Sequence, residues 1–65
     1  MKKEIHPDYK KTVIGNNVWL GAKATIMYGK HIGDGVIIGA NSVVTRDVED
    51  NMIAAGSPAK VIKER

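Results

Sequence analysis

A run of consecutive hexapeptides from Ile14 to Glu49 constrains the fold of this 65-residue chain more than any other feature. The six repeats read IGNNVW, LGAKAT, IMYGKH, IGDGVI, IGANSV and VTRDVE, with no insertion or deletion between them. The first position is aliphatic in every repeat, and the fourth is Asn, Gly or Asp in five of the six. An aliphatic residue at every sixth position keeps returning to one interior line, which neither helical periodicity nor strand alternation produces.

The fourth position predicts a turn in each repeat, because Asn, Gly and Asp are the residues that tolerate a positive φ. Short strands that alternate with turns at a period of six residues are typical of a parallel β-helix, in which three repeats form one triangular coil. We therefore expect Ile14 to stack beneath Ile32 and Leu20 beneath Ile38. Residues 13–49 supply about two such coils.

The segments on either side of the repeats follow different patterns. Residues 1–12 show no periodicity and predict an irregular N-terminal segment. In residues 50–65, Asp50-Asn51 interrupts the repeat, and the apolar residues 52–55 predict one short strand. Ser57 as N-cap and Pro58 at the first helical position predict a short basic helix over residues 59–65.

Composition and length limit the possible functions. The chain has no cysteine, no apolar run after its Met-Lys-Lys start and no stretch of transmembrane length, so we expect a cytoplasmic protein without a membrane partner. Ten basic against seven acidic residues, with three aromatic side chains, do not form the pattern of a nucleic-acid surface. A chain this short buries a modest core, which predicts that it associates with further copies.

Three stretches resemble the C-terminal part of hexapeptide acyltransferases: IGNNVWLG (14–21), IGDGVIIGANSVVT (32–45) and AAGSPAK (54–60). The resemblance covers residues 13–64 and is to the maltose and galactoside O-acetyltransferases and to the xenobiotic acetyltransferases that act on streptogramin or chloramphenicol. It implies a left-handed β-helix, a homotrimer, and acetyl-CoA bound between neighbouring subunits. The reaction would be acyl transfer to a hydroxyl or amine of a small-molecule acceptor.

The resemblance also implies a line of cofactor-binding residues. Ala22 and Ala40 match family positions along the pantetheine arm of coenzyme A, where small side chains let the ligand lie against the backbone. Thr45 and Arg46 match positions further along the same groove. Because Ala22 and Ala40 occupy the same column of the repeat, 18 positions apart, we expect them to stack in successive coils.

Three further residues match functional positions of the family. Lys60 and Lys63 match basic residues near the nucleotide phosphates, and on the predicted helix they would share one face. The alternative for this pair is a solvated helix surface. Trp19 matches a tryptophan beside the active site, and its alternative is a hydrophobic plug at a subunit interface.

The family's general base is a histidine upstream of the IGNNVW string. His6 is the candidate on that side, although its IHPDY setting does not match the family's catalytic neighbourhood; His31, at the sixth position of its repeat, is expected to face outward. We therefore expect a truncated, C-terminal coenzyme A-binding portion that lacks the usual catalytic histidine. The alternative is a non-catalytic β-helix that serves binding or oligomerisation. No metal is expected: a γ-type carbonic anhydrase shares the fold but needs three histidines on zinc.

Overall fold

The computed structural model describes residues 11–65 of the chain. These residues form eight strands and no helix, and therefore contain no helix that is long and apolar enough to span a membrane. The strands are β1 (Val13–Ile14), β2 (Trp19–Leu20), β3 (Thr25–Ile26), β4 (His31–Ile32), β5 (Ile37–Ile38), β6 (Val43–Val44), β7 (Met52–Gly56) and β8 (Ala59–Glu64).

The first six strands stack as three parallel pairs, β1 with β4, β2 with β5 and β3 with β6. Ile14 lies opposite Ile32 and Leu20 opposite Ile38, as the hexapeptide period predicts. Each strand is one side of a triangular coil, and its partner lies one coil above it. The predicted parallel β-helix is therefore confirmed.

The turns between sides lie where the fourth position predicts them. Five residues at this position have a positive φ: Asn17, Lys23, Gly29, Gly35 and Asn41. Lys23, with φ 61°, adopts this conformation without the short side chain or missing Cβ that usually permits it. Asp47, in contrast, is not among the positive-φ residues of the described chain, so the sixth repeat does not make the same turn.

The sixth repeat holds fewer residues in the structure than the hexapeptide pattern assigns to it. Val48 pairs with Ile32, and Ala54 pairs with Ile38, so the second and third coils are offset by 16 positions where the first and second are offset by 18. The sixth repeat therefore holds four residues, and a seventh repeat begins at Val48. Asn51, with φ 60°, makes the turn of this seventh repeat. The prediction that Asp50-Asn51 interrupts the repeat is wrong, because two residues were lost before it.

The C-terminal residues form a hairpin. β7 joins the ladder beside β5, the chain reverses at Ser57-Pro58, and β8 pairs with β7 in antiparallel fashion. The predicted helix over residues 59–65 is wrong. An isolated helix of this length is marginal, whereas the free edge of β7 offers unpaired backbone groups and the β-branched Val61 and Ile62 favour a strand.

The core is concentrated in the second coil and the beginning of the third. Its buried apolar residues are Ile32, Val36, Ile38, Val44, Val48 and Ala54. Ser42 is also buried, and its hydroxyl accepts a hydrogen bond from the Gly56 amide at 3.1 Å. In the first coil, Ile14 and Leu20 remain 46% and 47% exposed, because no described residue lies beneath them.

Close contact between successive coils explains the glycines at the second position of the repeat. A Cβ atom on Gly21 would lie 2.7 Å from the Ala40 Cα atom, and one on Gly33 would lie 2.6 Å from the Asp50 amide nitrogen. Both contacts are to backbone, which cannot move aside as a flexible side chain would. These glycines therefore set the distance between coils at the turns.

Candidate functional site

A cleft of about 550 Å³ lies at the C-terminal end of the β-helix, between the shortened sixth repeat and the β7–β8 hairpin. Its apolar lining includes the buried core residues Val44, Val48 and Ala54. Residues 45–47 line it on one side and residues 58–61 on the other. The cleft thus combines an apolar base with polar and charged residues from two separate segments.

The shortened repeat is held in place by a side chain. The Asp47 Oδ1 atom accepts a hydrogen bond from the His31 amide at 2.8 Å, and the Val48 amide donates to the His31 carbonyl at 2.9 Å. Asp47 therefore joins the end of the sixth repeat to the coil below. This contact fixes the corner from which Thr45 and Arg46 line the cleft.

The fold brings together Thr45, Arg46 and Lys60, three of the residues predicted to bind a cofactor. Thr45 is half-buried, whereas Arg46 and Lys60 are exposed. Two cationic residues, Arg46 and Lys60, line the cleft, against one acidic residue, Asp47. The charge balance therefore favours an anionic ligand.

Ala22 and Ala40 lie at a different corner of the coil. Both are exposed, and the Asn41 amide donates to the Ala22 carbonyl at 2.8 Å, which confirms that the two turns stack. Gly56 continues this column, since it follows Ala54 as Ala40 follows Ile38 in the paired strands. Neither alanine lines the cleft, but their column of small residues leads to the hairpin that does.

Lys60 and Lys63 lie on a strand, yet they share a face as predicted for the helix. Lys60 lies opposite Ala55 and Lys63 opposite Ile53, and a register irregularity between these pairs leaves Ile62 without a cross-strand partner. This β-bulge puts residues three positions apart on the same side of the sheet. The two lysines therefore share a face as predicted, but because of a β-bulge in a strand and not because of helical spacing. Both lysines are exposed, and Lys63 lies outside the cleft.

Trp19 lies on the outer face of the same sheet and is 69% exposed. Its cross-strand neighbour is Ile37, and Ile37 in turn lies opposite Ile53. Because residues paired across strands point to the same face, this row continues from Ile53 to Lys63. Both predictions for Trp19, a place beside the active site and a plug at an interface, remain predictions.

Of the two histidines, only His31 lies within the described residues, and it does not line the cleft. His6 lies outside the described residues, so its candidate role as general base stays a prediction. His31 is exposed on β4, as predicted, and its backbone amide and carbonyl form the hydrogen bonds to Asp47 and Val48. Within residues 11–65, no three His, Cys, Asp or Glu side chains are grouped in a way that would hold a metal ion.

Besides the core residues Val44, Val48 and Ala54, the cleft is lined by four residues that sequence reasoning did not assign to a site: Asp47, Pro58, Ala59 and Val61. The sequence does contain a pattern that predicts the position of Asp47. Val48 is an aliphatic residue followed two positions later by the turn pair Asp50-Asn51, which is the pattern of a new repeat displaced by two residues. The other three follow from the hairpin, and the predicted helix concealed it.

The model of the family described as bacterial transferase hexapeptide (six repeats) matches residues 11–46. A chloramphenicol acetyltransferase of Agrobacterium fabrum (strain C58) is 54% identical over 54 residues, which cover 83% of this chain and 26% of that protein. The crystal structure of a maltose O-acetyltransferase from Clostridium difficile 630 gives a TM-score of 0.82 with 49% identity, over 85% of this chain and 29% of the other.

A solved galactoside acetyltransferase in complex with coenzyme A gives the same TM-score, 0.82, with 49% identity over 85% of this chain and 28% of the other. The chain therefore spans between 26% and 29% of the length of these three proteins. The likeness extends over most of this chain.

Proposed function

Because the chain belongs to the bacterial transferase hexapeptide family, we propose that it is the coenzyme A-binding part of an acetyltransferase. The acyl donor is acetyl-CoA, and the acceptor is a hydroxyl or amine of a small molecule. The coils wind in the left-handed sense. The names of the relatives support the reaction class. One is named a chloramphenicol acetyltransferase, and the two solved structures are named a maltose O-acetyltransferase and a galactoside acetyltransferase.

The observation that carries this proposal is the convergence of Thr45, Arg46 and Lys60 on one cleft. Coenzyme A is a polyanion with an apolar arm, and charge-assisted hydrogen bonds from Arg and Lys are the strongest that proteins offer to phosphate. The cleft has the matching composition, with cationic residues beside an apolar base. The galactoside acetyltransferase solved with coenzyme A shares the local fold and supports the same ligand.

The remaining predicted residues take places around this cleft. Lys63, on the same face as Lys60, binds the nucleotide phosphates from outside the cleft. Ala22 and Ala40 leave the backbone of their corner accessible, so that the pantetheine arm lies along their column. Small side chains are needed there because a ligand can contact the backbone closely only where no larger side chain covers it.

The proposed assembly is a homotrimer, with the cofactor bound between neighbouring subunits. The exposed Trp19 and its half-buried neighbour Ile37 support an interface, since a largely exposed tryptophan beside aliphatic side chains is typical of surfaces that become buried on association. His6 is the candidate general base that this chain carries. The alternative is that a longer protein supplies the general base from residues outside this chain.

Calorimetric titration of the 65-residue protein with acetyl-CoA tests the proposal. Replacing Lys60 by alanine should raise the Kd about tenfold, the equivalent of one charge-assisted contact. The matched control is Lys11→Ala, which removes the same charge at the opposite end of the β-helix and should leave the Kd unchanged. If acetyl-CoA does not bind at millimolar concentration, or both variants weaken binding equally, the cofactor proposal fails and the non-catalytic oligomerisation module is left.

A further inference from the structure

We propose that Asp47 is a positioning residue for the cofactor cleft. Its carboxylate holds the shortened sixth repeat against the coil below, and thereby orders Thr45 and Arg46 along the cleft wall. This inference rests on the proposed function, because it assigns Asp47 an effect on the binding of acetyl-CoA. Asp47 acts on the ligand through Thr45 and Arg46, the two residues that precede it.

The contact replaces a backbone hydrogen bond that the shortening removes. In the regular repeats, the amide before the first position donates to a backbone carbonyl of the next coil. The three pairs are Val13 to Lys30 at 3.0 Å, Trp19 to Val36 at 2.9 Å and Thr25 to Ser42 at 2.8 Å. The equivalent amide of His31 donates to the Asp47 Oδ1 atom at 2.8 Å. A side chain therefore supplies the acceptor at the one described corner where two residues are missing.

The shortening and the cleft occur at the same corner. Thr45, Arg46 and Asp47 are the whole connection between Val44 at the end of β6 and Val48, which pairs with Ile32. All three of these connecting residues line the cleft. A connection of three residues has few internal hydrogen bonds of its own. Backbone hydrogen bonds to Met27 and His31 anchor its two ends, Val44 and Val48, and the Asp47 carboxylate adds a side-chain restraint within it.

A second aspartate of the chain makes the same contact away from the cleft. The Asp50 Oδ1 atom accepts a hydrogen bond from the Asp34 amide at 2.8 Å, also between the second and third coils. Asp50 does not line the cleft. Replacing Asp50 therefore removes a contact of equal length and type, and it serves as the control for any general loss of stability.

Charge and position predict opposite effects for Asp47. Removing a carboxylate beside Arg46 and Lys60 makes the cleft more positive, so an electrostatic role alone predicts that Asp47→Ala binds acetyl-CoA more tightly. A positioning role predicts weaker binding, because side chains that are not held in place must be ordered when the ligand binds, at a cost of about threefold in affinity for each of Thr45 and Arg46. The sign of the change separates the two roles.

Calorimetric titration of the wild type, Asp47→Ala, Asp47→Asn and Asp50→Ala with acetyl-CoA tests the inference. We expect the Kd of Asp47→Ala to rise about tenfold. The Kd of Asp47→Asn, which keeps an acceptor oxygen, should stay within about twofold, as should that of Asp50→Ala. Equal or tighter binding by Asp47→Ala overturns the inference alone. If the wild type does not bind acetyl-CoA, the proposed function fails and this inference fails with it.

Amide hydrogen exchange keeps the inference testable if Asp47→Ala does not fold. In the wild type, saturating acetyl-CoA should slow exchange of the His31 amide by about tenfold, because the ligand stabilises the corner that this amide closes. The Asn16 amide, which donates to the Asp34 Oδ1 atom at 2.7 Å, is the internal control and should not change. Equal protection of both amides, or of neither, would overturn the positioning role.

Discussion

Replacing Ile38 by alanine tests whether the second coil holds the core. Ile38 is 1% exposed and lies between Leu20 below and Ala54 above it. The substitution removes three carbon atoms from a closed site, which costs about 2.4 kcal/mol of transfer free energy and about 1 kcal/mol more for the cavity. A single core in a chain of this size supplies about 3–5 kcal/mol. We therefore expect Ile38→Ala to be marginally stable, with at most about 1.6 kcal/mol of unfolding free energy left and part of the chain already unfolded without denaturant.

The matched variant is Ile14→Ala, at the same position of the repeat one coil below. Ile14 is 46% exposed, so the same three carbon atoms lose about half the transfer term, about 1.2 kcal/mol, and leave no closed cavity. This variant should stay folded with a lower urea midpoint. Circular dichroism during urea unfolding measures both. Equal losses for the two variants would refute the reasoning, since they would mean that the N-terminal end is covered as completely as the core.

Two further substitutions test the coil geometry in the same assay. Gly33→Ala should destabilise the chain by about 2 kcal/mol or more, because its Cβ would overlap the Asp50 backbone; a neutral result would mean that the coils stack further apart. Lys23→Asn should stabilise the chain by about 0.5–1 kcal/mol, because Asn adopts the positive φ of this turn at lower cost. The same change at Lys11, outside the turns, is the control, and an equal gain there would contradict the explanation.

The sequence was sufficient for the regular coils because their columns repeat the same physical requirement. Aliphatic first positions predicted the pairing of Ile14 with Ile32, and the fourth position predicted the turns, including that at Asn41. Lys23 is the exception that composition could not predict. Its conformation is imposed by the strands on either side of the turn, not by its own preference.

The end of the repeat could not be predicted in the same way. A pattern that continues to Glu49 in the sequence hides the loss of two residues, because both Val44 and Val48 are aliphatic and either satisfies a column. The C-terminal segment failed for a related reason. Ser57-Pro58 followed by basic residues is a valid helix start locally, but the open edge of β7, which exists only once β7 has joined β5, decides the outcome.

The candidate site was predicted in part. The family resemblance identified Thr45, Arg46 and Lys60, and the fold places them in one cleft. It did not identify Asp47, because the role of that residue depends on a hydrogen bond to His31 that exists only once the sixth repeat is shortened. Residues that bind a ligand can be matched by motif, whereas residues that hold them in place depend on the geometry.

Mapping acetyl-CoA on the isotopically labelled 65-residue protein by backbone amide NMR shifts tests the central claim most directly. The largest shifts should fall on Thr45, Arg46 and Lys60, while Val13 and Ile14 at the opposite end of the β-helix should not move. Shifts centred on Val13 and Ile14, or no shifts at millimolar acetyl-CoA, would contradict the assignment of this cleft to coenzyme A.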